Sequence, residues 1–215
     1  MITRRLVFSA AGAALVFSGL AFPGLAFPAP AAARAPVVTL LGDSITAGLG
    51  LPAKEALPAR LQAALAASGQ TAVVRGAGVS GDTTAGGLAR LNFSVQADTT
   101  LCIVELGGND YLQSVDPHLI QSNLTQIVTR LRQRNIKVLL LGGHAPSGSS
   151  GAYGRAFNAA FSAAGKAAGV VALPDLLDTV LGHSDLLQPD GVHPNAKGVN
   201  VLVDRLAPTV KRALA

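Results

Sequence analysis

Cysteine, tryptophan and paired metal ligands are rare or absent in this chain of 215 residues. Cys102 is the only cysteine, so no intrachain disulfide can form, and its place in an apolar run predicts a buried thiol rather than a nucleophile. No two histidines or cysteines show the spacing of metal ligands, so neither a metal nor another cofactor is expected. Neither a cysteine nucleophile nor a metal centre is therefore expected to carry the chemistry.

Basic residues are also few once the N-terminus is set aside. The formal charge is +5, but Arg4, Arg5 and Arg34 lie in the first 35 residues and leave 14 basic against 12 acidic residues. Because no basic cluster remains, nucleic acid is not expected as a partner.

The first 33 residues contain no acidic side chain. Arg4 and Arg5 precede a long apolar stretch that ends in Ala31-Ala32-Ala33, which is the pattern of an export signal with a small-residue cleavage site. We expect residues 1–33 to be removed and residues 34–215 to work in the periplasm or outside the cell, as a monomer without stable membrane insertion. Sec and twin-arginine export both remain open. The prolines of the stretch disfavour a retained membrane anchor.

Continuous apolar runs predict strands that are buried on both faces. These runs are Val37–Leu41, Ala72–Val74, Leu101–Leu106, Val138–Leu141 and Val170–Leu173. Segments with helical spacing lie between them, and a last helix is expected to begin at Pro194. The alternation predicts one α/β domain, 34–215, with three α/β/α layers and a parallel sheet of roughly five strands. Ligands of such sheets bind beyond the carboxyl ends of the strands.

Polar residues that suit acyl transfer lie at one such end and near the C-terminus. Ser44 follows the first apolar run in Gly42-Asp43-Ser44, and Asp190 precedes His193 by three residues. That spacing lets the carboxylate bind one imidazole nitrogen while the other nitrogen faces the cleft. Each residue alone is typical of a turn or a helix cap. Together they supply a nucleophile, a base and an orienting acid.

Four short motifs in this order resemble the SGNH, or GDSL-type, hydrolases. The motifs are Gly42-Asp43-Ser44-Ile45-Thr46-Ala47-Gly48, Gly76-Ala77-Gly78-Val79-Ser80-Gly81-Asp82-Thr83, Gly107-Gly108-Asn109-Asp110 and Asp190-Gly191-Val192-His193-Pro194-Asn195. The resemblance implies the flavodoxin-like fold of that family, with Ser44 as nucleophile, His193 as base and Asp190 as its orienting acid. It also implies an oxyanion hole of the Ser44 and Gly81 N–H groups and the Asn109 amide. The motifs look closest to the bacterial exported thioesterase/arylesterase/lysophospholipase subgroup.

The function that this resemblance implies is a serine esterase that acts on small-molecule esters through an acyl-enzyme. Aryl or short acyl esters are the expected substrates, with acyl thioesters and lysophospholipids as further candidates, and a carbohydrate O-acetyl esterase on the same fold is the alternative. His144 and Pro146 are candidate substrate contacts in the loop 142–151. Because this loop consists largely of glycine and serine, it offers a poor groove for long acyl chains, and short or aromatic esters are expected to be preferred.

Two competing interpretations explain less of the sequence. The pattern Gly76-x-Gly78-x-x-Gly81 matches a dinucleotide-binding turn, with Glu105 as a possible ribose ligand, but it stands at the second strand rather than the first. It also leaves the serine and histidine motifs without a role. The chain contains no Gly-x-Ser-x-Gly elbow, which disfavours the α/β-hydrolase fold.

Overall fold

A computed structural model describes residues 34–141, 145, 151–166, 170–173 and 176–215. Residues 1–33, which the sequence predicts to be an export signal, lie outside the described residues, as do His144 and Pro146. Within the described ranges, no helix has the length and apolarity needed to cross a membrane.

Five parallel strands form the central sheet, in the order β2-β1-β3-β4-β5. They are β1 Val37–Gly42, β2 Val73–Gly78, β3 Leu101–Glu105, β4 Lys137–Leu141 and β5 Val170–Ala172. The predicted α/β architecture and its parallel sheet of about five strands are therefore confirmed.

Strand β2 is longer than the apolar pattern indicates. The sequence predicts its end at Val74, whereas pairing with β1 continues to Gly78. The additional residues include glycines because helical residues pack closely against this edge strand: a Cβ on Gly78 would collide with the backbone of Ala47. A strand built from glycine has no apolar periodicity, and the pattern therefore missed it.

Helices cover both faces of the sheet. They are α1 Ser44–Ala47, α2 Leu57–Ala67, α3 Thr84–Ala89, α4 Leu91–Ser94, α5 Gly108–Leu112, α6 Pro117–Gln133, α7 Ala152–Gly165 and α8 Ala196–Leu214. Alternate strand residues enter two separate apolar cores, as Ile103 packs with α2 and α8 while Val104 packs with α6 and α7. This two-sided burial explains why the strands read as continuous apolar runs.

Helix α8 begins later than predicted, at Ala196 instead of Pro194. Asn195 is its N-cap, because the Asn195 side chain accepts hydrogen bonds from the N–H groups of Lys197 and Gly198. Pro194 instead forms an antiparallel bridge with Leu187. The bridge closes the base of the loop that carries Asp190 and His193, and so fixes this loop to the start of α8.

Candidate active site

Three of the predicted motifs meet at the carboxyl ends of neighbouring strands. Ser44 opens α1 directly after β1, Gly81 lies in the turn after β2, and Asn109 lies in α5 after β3. The loop that precedes α8 brings His193 to the same edge, where its ring contacts Ser44. The topology therefore collects residues that are up to 149 positions apart in sequence.

A short turn fixes the position of Ser44. Asp43 caps α1, since its Oδ1 accepts a hydrogen bond of 3.0 Å from the Ile45 N–H, and its carbonyl accepts from the Ala47 N–H at 2.9 Å. Ser44 is largely buried beneath this turn and reaches the cleft through its hydroxyl.

His193 links Ser44 to Asp190. Its Nε2 lies 3.0 Å from Ser44 Oγ, and its Nδ1 lies 2.7 Å from Asp190 Oδ2. An ionised carboxylate can only accept hydrogen bonds, so Nδ1 carries the proton and Nε2 is left to accept from the serine hydroxyl. This is the arrangement in which a histidine can remove the proton of a nucleophile.

Asp190 is oriented by its own loop. Its Oδ1 accepts hydrogen bonds from the N–H groups of Val192 at 2.9 Å and His193 at 3.0 Å. The Val192 N–H bond, followed by the His193 N–H and ring bonds, lowers the pKa of Asp190 to about 2. Asp190 is therefore ionised wherever His193 has to act as a base.

Gly81, which the sequence predicts as a backbone oxyanion donor, lies in the turn between β2 and α3. Its φ of +82° is in the left-handed region, which strongly favours glycine, and a Cβ built there would lie in open space. The turn can thus present its N–H to the cleft with no side chain beside it.

Asn109 reaches the same region, but protein atoms accept both hydrogen bonds of its amide. Asn109 Nδ2 donates to Asp82 O at 2.9 Å and to Asp43 Oδ2 at 3.1 Å. Next to it, Asp110 accepts from the N–H and the hydroxyl of Thr84, which ties α5 to α3. To serve as an oxyanion donor, the amide would have to exchange its longer hydrogen bond, to Asp43, for a hydrogen bond to the substrate oxygen.

A second carboxyl group lies beneath the nucleophile turn and has no role in the predicted relay. Thr46 Oγ1 donates to Glu105 Oε2 at 2.8 Å. Burial, followed by the nearby charge of Asp43, raises the pKa of Glu105 well above its usual range. Burial also raises the pKa of Asp43, against the opposing bond from Ile45. One signal for this group is visible in the sequence, a glutamate at the end of an apolar run.

The raised pKa of the Glu105 carboxyl group predicts a pH-dependent difference in stability. Because the pKa of Glu105 is raised in the folded state, the unfolded chain releases this proton at lower pH. The free energy of unfolding of the wild type, relative to Glu105→Gln, should therefore fall as the pH rises above about 4.5. Urea unfolding of both proteins from mildly acidic to neutral pH measures this difference.

Asp98→Asn is a control of opposite sign for that experiment. The hydrogen bond from Arg75 lowers the pKa of Asp98, so the wild type should gain stability relative to this variant as the pH rises through the acid range. A pH-independent difference between the wild type and Glu105→Gln would contradict the raised pKa of Glu105.

An apolar pocket of about 500 Å³ opens beside Ser44 and His193. Its apolar lining includes Leu106, Leu112, Phe157, Phe161, Leu176, Leu177 and Leu181. The described lining supplies apolar surface from α5, α7 and the segment 176–182, so the composition of the loop 142–151 is not by itself a reason to expect a poor groove. Sequence reasoning missed the residues of α7 and of the segment 176–182, because only tertiary packing brings them to Ser44.

Other predicted features lie away from the relay. Cys102 is buried, as predicted, and burial raises the pKa of its thiol to about 12, which makes it a poor nucleophile. Across the described part of the chain, no cluster of three or more histidine, cysteine or acidic residues could hold a metal ion.

Solved structures with the same fold include esterases. The crystal structure of TesA matches with a TM-score of 0.77 at 36% identity, over 82% of this chain and 99% of that one. The psychrotrophic esterase EstA from Pseudoalteromonas sp., in a structure inhibited by monoethylphosphonate, matches with a TM-score of 0.77 at 28% identity, over 83% and 98% of the two chains.

Sequence comparison agrees with the fold. Residues 40–201 match the GDSL-like Lipase/Acylhydrolase family. Esterase TesA from Pseudomonas aeruginosa is 37% identical over 183 residues, which are 85% of this chain and 91% of that protein. Thioesterase 1/protease 1/lysophospholipase L1 from Escherichia coli is 34% identical over 177 residues, 82% and 84% of the two chains. This chain therefore belongs to the GDSL-like lipase/acylhydrolase family, as its four motifs predict.

Proposed function

We propose that this ester hydrolase acts on carboxylic esters of acyl chains through an acyl-enzyme on Ser44. The observation that carries the proposal is the continuous chain of contacts from Ser44 Oγ through the His193 ring to Asp190, at 3.0 and 2.7 Å. The relay opens onto an apolar pocket large enough to receive part of a substrate.

The first half of the reaction forms the acyl-enzyme. His193 Nε2 takes the Ser44 proton as Oγ bonds to the ester carbonyl carbon, and the carbonyl oxygen becomes an oxyanion. The N–H groups of Ser44 and Gly81, joined by the Asn109 amide, would stabilise that charge. His193 then gives its proton to the departing alcohol as the ester C–O bond breaks.

The second half releases the acid. His193 removes a proton from a water molecule, the resulting hydroxide attacks the acyl carbon, and the proton passes to Ser44 Oγ as the acyl group leaves. Asp190 remains ionised throughout because its pKa is about 2. It keeps Nδ1 protonated and stabilises the imidazolium that forms in both halves.

The lining of the pocket supports an acyl chain rather than a sugar as the group next to the ester. Phe157, Phe161 and Leu176 are apolar and buried, and they present no hydrogen-bonding groups to a carbohydrate. An acetyl group would also leave most of the volume unfilled. Acyl esters are thus favoured over carbohydrate O-acetyl esters, and thioesters and lysophospholipids carry the same acyl group.

A chain-length series of p-nitrophenyl esters tests this assignment. Each buried methylene contributes about 0.8 kcal/mol, so kcat/KM should rise roughly fourfold per methylene from acetyl until the pocket is full, and then stop rising. A fall that begins directly after acetyl would show that the pocket does not bind the acyl chain.

A matched pair of variants tests whether the preference for acyl-chain length depends on the pocket. Leu181→Trp adds bulk to the lining and should lower kcat/KM for the longer esters while leaving acetyl ester hydrolysis unchanged. Leu119→Trp, at an exposed leucine of α6 outside the pocket lining, should leave the whole series unchanged.

We extend the proposal to location. Residues 1–33 would direct export and be removed, and the domain 34–215 would then act in the periplasm or outside the cell as a monomer. The arginine pair, the acid-free apolar stretch and the alanine-rich end support this.

A further inference from the structure

One arginine joins the ends of β1 and β2 to the turn that follows β2. Arg90 Nη2 donates to Gly42 O at 2.8 Å, and Nη1 donates to Ala77 O at 2.7 Å. Its Nε donates to Asp82 Oδ2 at 2.7 Å, in an ion pair whose side chains are only 19% and 9% exposed. Nη1 also contacts Ser94 Oγ at 3.0 Å.

Two of the residues that accept hydrogen bonds from Arg90, Gly42 and Asp82, are adjacent to groups that the proposed mechanism requires. Gly42 leads directly into the turn that carries Ser44, and Asp82 follows Gly81 in sequence. The backbone carbonyl of Asp82 also accepts the hydrogen bond from Asn109. One short segment of chain therefore connects the guanidinium group to each of the three proposed oxyanion donors.

Arg90 does not touch the substrate space. It is absent from the lining of the pocket, which Ser44, Asn109 and His193 share. Its contacts are directed to two backbone carbonyls, one carboxylate and the Ser94 hydroxyl. A planar guanidinium can satisfy these together, whereas a lysine ammonium presents a single point of charge. Arg90 therefore controls the distance between the segments that it bridges, and it takes no part in forming or breaking bonds of the substrate.

We propose that Arg90 is a positioning residue for ester hydrolysis, which holds the nucleophile turn and the oxyanion loop at the spacing required by the transition state. The inference rests on the proposed function, because it assigns Arg90 to the oxyanion hole of that reaction. A hole that is displaced by a fraction of an ångström binds the substrate nearly as before but stabilises the oxyanion poorly.

The test compares Arg90→Met with Arg134→Met. Arg134 also donates to a backbone carbonyl, that of Val95, but it lies outside the site. Arg90→Met should lower kcat by about 10- to 100-fold with KM changed less than about twofold, while Arg134→Met keeps kcat. Arg90→Lys should restore only part of kcat, since lysine cannot bridge the three acceptors. Thermal unfolding of each variant separates loss of fold from loss of rate.

The partner residue supplies a second route if Arg90→Met does not fold. Asp82→Asn should also lower kcat, and in the double variant with Arg90→Lys the losses should be smaller than additive, because both residues act through one contact. Equal kcat for Arg90→Met and Arg134→Met, or a loss confined to KM, would overturn the inference. A wild type without esterase activity would overturn the proposed function itself, and this inference with it.

Discussion

Replacement of Ser44 by alanine is expected to lower kcat for every ester substrate by about 10³-fold or more. The reason is that only the hydroxyl of Ser44 can form the acyl-enzyme, and the remaining site can at most polarise the carbonyl for direct attack by water. Initial rates with p-nitrophenyl butyrate and octanoate, measured for the wild type and the variant side by side, give the ratio.

The same variant should keep its fold. Among the described residues the Ser44 hydroxyl bonds only to His193, so its removal opens no apolar cavity and leaves no buried group unpaired. The melting temperature should therefore change by only a few degrees. Ser68→Ala is the matched control, since it removes a hydroxyl that bonds to Leu65 O at a helix end far from the relay. Retention of more than about a tenth of the rate by Ser44→Ala would refute the relay.

Replacement of His193 by alanine should be nearly as severe as loss of Ser44. Without the imidazole no group within hydrogen-bond distance of Ser44 Oγ can take its proton, because the ring is the only contact that the hydroxyl makes among the described residues. We expect a loss of about 10³-fold or more in kcat. His183→Ala, which removes an imidazole from a loop outside the pocket lining, should be silent.

Asp190→Asn should leave more activity than His193→Ala. The asparagine oxygen can still accept from the Val192 and His193 N–H groups, but an amide NH₂ facing Nδ1 favours the wrong tautomer. We expect a loss of up to about 10⁴-fold in kcat, smaller than that of His193→Ala. A silent Asp190→Asn would mean that another acid orients the base.

The sequence was sufficient to predict the sheet, and the meeting of Ser44, Asp190 and His193, for a physical reason. Buried parallel strands read as uninterrupted apolar runs, and a parallel sheet brings every strand end to one edge. Ser44 and Asn109 follow two such ends directly, so their proximity could be inferred without coordinates. Asp190 and His193 are three residues apart in sequence, and their pairing depends only on one short loop.

The features that the sequence did not predict depend on packing between distant segments. Arg90 and Glu105 are ordinary charged residues until the fold places them against the carbonyls of β1 and β2 and beneath the nucleophile turn. The apolar pocket likewise exists only because α7 and the segment 176–182 meet near Ser44. Leucine and phenylalanine in a helix are typical of a core, and nothing in their spacing indicates that they face a cleft.

Covalent labelling tests the central claim, that Ser44 is the nucleophile, most directly. A p-nitrophenyl alkylphosphonate reacts with an activated serine to form a stable mimic of the tetrahedral intermediate, and mass spectrometry of the digested protein locates the bond. We predict one phosphonyl group per chain, on Ser44, with labelling that parallels the loss of esterase activity and is absent from Ser44→Ala. A phosphonyl group on any other residue, or complete inhibition without a covalent adduct on Ser44, would contradict the mechanism.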